Sequence, residues 1–105
     1  MNLATLKACL LVKRGACERC GRPGTDAHHA IVRRKKGWEQ WLDVEENIAI
    51  VCHECHMSGE VDTREWKRYF YNLQLRRGYD MRTWAESLPF RAASARAEIL
   101  ALEQA

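Results

Sequence analysis

Apolar side chains recur along the chain in two rhythms, and each predicts its own kind of element. Behind Asn2, a capping residue, Leu3, Leu6, Cys9 and Leu10 return at helical spacing and the pattern stops near Gly15. This predicts a helix over 2–14 with Cys9 as a small buried side chain. Ile31-Val32 and Ile48-Ala49-Ile50-Val51 are short and rich in β-branched residues, so they predict two strands of a hairpin with a long loop between them. Helical rhythm then returns in a frame over 63–104. Asp62 or Thr63 caps a helix with Trp66, Phe70 and Leu73 on one face, and Arg64, Lys67, Arg68 and Tyr71 around the other, up to Gly78. Asp80 opens a short helix carrying Met81, Trp84 and Leu88, and Pro89 separates it from an Ala-rich helix running through Leu102. Trp66, Phe70 and Trp84 are expected in the core, and Trp38 and Trp41 as anchors of the long loop.

The chain has 105 residues, which predicts a single domain over 1–105. With 47% hydrophobic and 30% charged residues and two prolines, collagen-like, mucin-like and disordered classes are excluded. A domain of this size buries roughly two thirds of its unfolded surface, so a cross-link or metal would add a needed margin. No apolar run reaches the ~18 residues of a membrane span. The N-terminal segment has no basic start and carries Lys7 within its apolar stretch, so the protein is expected in a reducing cytoplasm. Charge is laid out in blocks: residues 1–37 hold nine Lys/Arg against Glu18 and Asp26, and residues 38–65 hold Arg64 against eight acids. Such a layout suits a polyanionic partner approached from one side, or two solvated faces that pair with each other.

Four of the five cysteines form identical pairs, Cys17-Glu18-Arg19-Cys20 and Cys52-His53-Glu54-Cys55. Two C-x-x-C knuckles make a tetrahedral four-thiolate zinc site, because two intervening residues let one tight turn present both sulfurs to one ion. A redox dithiol usually occupies a single C-x-x-C beside a βαβ pattern, which is missing here. Cys52 to His56 also matches the c-type haem string C-x-x-C-H, a reading the missing export signal opposes. The 31 residues between Cys20 and Cys52 exceed the ~15 to 20 of a plain zinc ribbon. The insert carries His28 and His29 on its first strand, and His56 follows the second knuckle. Neighbouring strand residues face opposite ways, so the expectation that all three histidines meet in one cleft requires the strand to end or bend at the pair.

From Cys17 to His56 the chain resembles the zinc-stapled HNH endonucleases of the His-Me finger (ββα-metal) class. The resemblance rests on C-x-x-C, His28-His29 with Ile31 and Arg33 downstream, Asn47, and Val51-Cys52-x-x-Cys55-His56. It implies an α+β fold: a small ββα-metal core over 17–62, stapled by a four-cysteine zinc site and flanked by N- and C-terminal helices. It also implies His28 and His56 as ligands of a catalytic divalent cation, His29 as general base, and Asn47 as the residue that steadies the loop and the base. Where many relatives have Asp, this chain has His28, which widens the choice of ion from Mg2+ to Mn2+, Ni2+ or Zn2+. Val32 stands where many relatives have proline. Glu60 stands where some members have a further ligand, and it reads here as a solvated acid at a helix start.

A near-neutral imidazole suits the proton transfer that phosphodiester hydrolysis needs, and a divalent ion suits the charge that develops on phosphate. Arg33, Arg34, Lys35 and Lys36 follow the base strand and are expected to contact a DNA backbone, with Lys13-Arg14 extending the basic rim. The expected function is therefore a DNA endonuclease of a bacterial or phage-infected cell. Small proteins of this look include some that serve phage DNA packaging beside terminase, which makes such a complex a possible partner. The alternatives are a non-catalytic zinc-stabilised DNA-binding module with the same fold, and a protein-interaction adaptor.

Overall fold

A computed structural model describes residues 2–89 and 93–103. Its elements, in order, are α1 (Leu3–Arg14), β1 (Asp26–His29), α2 (Glu39–Leu42), β2 (Ile48–Val51), α3 (His53–Ser58), α4 (Arg64–Arg76), α5 (Met81–Ser87) and α6 (Ala93–Glu103), with 3-10 turns at Glu45–Asn47 and Glu60–Asp62. The protein is a small α+β fold. Residues 90–92 and 104 of the expected C-terminal frame lie outside the described residues. Among those described, no helix is long and apolar enough to cross a membrane.

The helix starts follow capping chemistry, because the first backbone N–H groups of a helix need acceptors from outside it. Asn2 Oδ1 accepts from Thr5 N at 2.8 Å, Thr63 Oγ1 from Trp66 N at 3.3 Å, and Asp80 Oδ1 from Thr83 N at 3.0 Å. Gly15, with φ of 72°, ends α1 in a tight turn closed by Ala16 N donating to Arg14 O at 2.8 Å. Cys9 is exposed, contrary to expectation. It sits ~100° around the helix from Leu10, outside the Leu6–Leu10 seam that is buried. Tyr71, expected outward, is fully buried with Phe70 and Gln74. The sheet side and α5 both pack on α4, so its buried arc is wider than the single stripe of aromatic residues.

Strands β1 and β2 pair antiparallel, with Asp26 opposite Val51, Ala27 opposite Ile50, His28 opposite Ala49 and His29 opposite Ile48. The first strand thus lies earlier than Ile31-Val32. Asn47 explains this: its Oδ1 accepts from Ile31 N at 3.1 Å and Val32 N at 2.8 Å, drawing the chain out of the ladder. Every residue of β2 is buried, because both faces are covered. Ile48 and Ile50 pack on Leu6 and Leu10 of α1, whereas Ala49 and Val51 join the main core with Phe70, Tyr71, Met81 and Trp84. Trp38 and Trp41 pack against that core at its edge, as anchors of the long loop.

The outer edge of β2 is satisfied by side chains. Glu18 accepts from Ile50 N, and Arg14 Nη1 donates to Ile48 O at 2.6 Å. Glu18 is itself held between Arg14, at 3.2 Å, and Arg77, at 2.6 Å. This buried ionic cluster ties α1, the first knuckle, β2 and the end of α4 together.

Candidate functional site

The two knuckles converge. Cys17, Cys20, Cys52 and Cys55 place their sulfurs within 4.8 Å of one another, a group able to hold a metal ion. The first knuckle is a tight turn in which Gly21 N donates to Cys17 O at 2.9 Å and Gly21 adopts φ of 83°. The second forms the start of α3, where Cys52 Sγ accepts from Cys55 N at 3.4 Å. Three of the cysteines are buried and Cys20 is exposed.

The four sulfurs do not ionise alike. Burial raises the Cys17 thiol, but backbone N–H groups of Cys20, Cys52 and Arg19 outweigh it and bring it down to about 6. The Arg19 guanidinium, whose Nη1 lies 3.3 Å from Cys55 Sγ, lowers the Cys55 thiol; burial and the three neighbouring sulfurs overcome this and push it up to about 12. Without a cation, four sulfurs this close cannot all ionise. The donor set and its spacing fit a structural zinc ion.

Among the described residues, the four cysteines are the group of three or more metal-ligating side chains whose donor atoms converge. The histidines are arranged differently. His28 and His56 stand edge to face with ring centroids 5.4 Å apart. Two rings sharing one ion, with metal–nitrogen bonds of about 2 Å, have centroids about 5 to 6 Å apart. His29 is the last residue of β1, opposite Ile48, and its ring pairs with Asp43 instead of adjoining the other two. The three rings therefore do not form one cluster: two adjoin, and the third stands at the end of β1.

Each of these rings has one nitrogen committed to an acceptor. His28 Nε2 donates to Val61 O at 3.3 Å, His56 Nδ1 to Asp26 Oδ2 at 2.9 Å, and His29 Nε2 to Asp43 Oδ1 at 2.8 Å. Carbonyls and carboxylates only accept, so these nitrogens carry protons, and in a neutral ring the opposite nitrogen keeps its lone pair. Burial holds the His28 pKa below its ordinary value, against the pull of Asp62 at 3.8 Å, and so favours the neutral ring. Asp26 is held down to about 2, first by the hydrogen bond from His56, with Thr25 and His53 adding to it. His53 is exposed and lies 3.1 Å from the same carboxylate.

Asn47 is fully buried and its side chain makes four hydrogen bonds. Besides accepting from Ile31 and Val32, it donates to Val32 O at 2.9 Å and Leu42 O at 3.0 Å, clamping the chain after β1 to the end of α2. Glu60 pairs with Arg19 beside the cysteines. Of the basic loop, Arg34 pairs with Asp43 at 3.3 Å and Lys35 lies 4.2 Å over the Trp38 ring, while Arg33 and Lys36 are exposed. Sequence reasoning missed Asp43 and the partnership of Asp26 with His56. Asp26 sits two positions before His28, on the same strand face, which is the one signal that pointed to it.

Comparison of the chain with protein-family models, curated proteins and solved structures finds no match.

Proposed function

We propose that this protein is a metal-dependent endonuclease of the HNH kind that hydrolyses DNA phosphodiester bonds. The observation that carries the reading is the arrangement of histidines around β1 and α3. His28 and His56 adjoin, and each of His28, His29 and His56 has its proton-bearing nitrogen fixed by a carboxylate or carbonyl. Metal-binding histidines are usually held in this way, with the second nitrogen hydrogen-bonded so that the first is oriented and more basic. A divalent cation bound by His28 and His56 would supply Lewis-acid stabilisation of charge on the phosphate oxygens.

The chain's own residues supply the rest. His29 takes a proton from a water molecule through its lone-pair nitrogen. The water oxygen bonds to phosphorus as the phosphorus bond to the leaving sugar oxygen breaks, and that oxygen is protonated from solvent. Arg33 and Lys36, joined by Arg34 and Lys35, bind the backbone through charge, which positions DNA without reading its sequence. Asn47 holds the segment after the base strand.

A non-catalytic DNA-binding module is the second reading, favoured by the lack of a third ligand converging on His28 and His56 among the described residues. Purified protein separates the two. Divalent-ion-dependent nicking of plasmid, lost in His29→Ala while zinc content stays at one per chain, is the expected result. Salt-sensitive DNA binding with no cleavage under Mg2+, Mn2+, Ni2+ or Zn2+ would overturn the enzyme in favour of the module.

A further inference from the structure

We infer that Asp43 is the positioning residue that sets the tautomer of His29, an inference that deepens the nuclease reading and takes His29 as its base. Asp43 follows α2 directly, and its side chain is 6% exposed. Burying a carboxylate is costly unless its oxygens find donors, and here each oxygen has one: Oδ1 faces His29 Nε2 at 2.8 Å and Oδ2 faces Arg34 Nη2 at 3.3 Å. The backbone around Asp43 is held as well. Its N–H donates to Glu39 O at 2.9 Å, and the preceding carbonyl, Leu42 O, accepts from Asn47 Nδ2 at 3.0 Å. The carboxylate is thus presented by a rigid corner, between Trp38 and Trp41 packed on the core and Asn47 buried beneath it.

The chemical consequence is specific. A carboxylate only accepts, so when the His29 ring carries a single proton that proton sits on Nε2 and the lone pair on Nδ1. Nδ1 is then the atom that takes the proton from the attacking water, and the Asp43 charge stabilises the imidazolium that results. A salt bridge that merely fastened the loop would need only the pairing with Arg34 and would not depend on which His29 nitrogen carries hydrogen.

Asp43→Asn separates the two roles, since it keeps the shape of the side chain and changes its hydrogen bonding. An amide can donate to Nε2, which moves the imidazole proton to Nδ1 and leaves the water without an acceptor. The experiment is long-range nitrogen–proton NMR of the His29 ring at alkaline pH in the full-length zinc-loaded protein, together with steady-state plasmid cleavage. In the wild type we expect the proton on Nε2. In Asp43→Asn we expect it on Nδ1, with kcat down by about 100-fold or more and with zinc content retained. A wild-type proton on Nδ1 overturns the inference whatever the cleavage assay gives, and this measurement stands even if the variant fails to fold. A folded Asp43→Asn with an unchanged tautomer, or with full kcat, overturns it as well. The proton on Nε2 in a wild type that cleaves nothing instead overturns the nuclease reading and leaves the Asp43–His29 pairing supported.

Discussion

At the level of single residues, the site depends on polar side chains held by partners inside the protein. Asn47 is the clearest case. Its amide meets two backbone N–H groups and two carbonyls, at distances between 2.8 and 3.1 Å. Removing the amide strands buried groups, each costing about 1 to 3 kcal/mol. Asn47→Ala should therefore lower unfolding stability by about 2 to 4 kcal/mol, measured by urea denaturation of the zinc-loaded protein. A loss below about 0.5 kcal/mol, the scale of an ordinary surface substitution, would show that the clamp is not structural. Asn47 was legible in the sequence as a steadying residue through the family resemblance. Asp43 was not, because an acid within a block of eight acids carries no local mark, and its partner stands fourteen positions earlier.

Whole elements owe their placement to partners as much as to their own propensity. The four residues of β2 read as a strand from composition, and the structure agrees. The strand β1 carries Asp26, His28 and His29, polar residues that would not on their own name a strand, and it forms because Ala49 and Ile48 of β2 lie opposite. Close approach matters at Gly24, before β1, where Gly24 N donates to Gly15 O at 2.9 Å. A Cβ at Gly24 would lie 2.3 Å from Ile50 Cγ2, nearer than any carbon contact allows. Gly24→Ala must displace either the first knuckle or Ile50, at a cost of about 1 to 3 kcal/mol. A melting temperature several degrees below wild type is the expected reading, and an unchanged one would mean that the knuckle shifts freely against β2.

For the molecule as a whole, the four sulfurs close a loop that joins the first knuckle to the start of α3 across the sheet. A Cα radius of gyration of 13.0 Å is that of a single compact unit. The main core and the α1 cluster meet on opposite faces of only two strands. A zinc ion held by these sulfurs would therefore be part of the folding free energy. Chelation at neutral pH should abolish cooperative unfolding seen by circular dichroism, and added Zn2+ should restore it with one ion per chain. A cooperative transition that survives complete zinc removal would show that the core holds without its staple. The sequence by itself determined the helix starts, the second strand and the four-cysteine site, because capping, apolar periodicity and C-x-x-C spacing are local chemistry written within a few residues. Only the tertiary structure decided the length of β1, the burial of Tyr71, the exposure of Cys9, and the partners of each histidine. Those depend on which distant side chains the fold brings within hydrogen-bond reach, and no spacing along the chain encodes that distance.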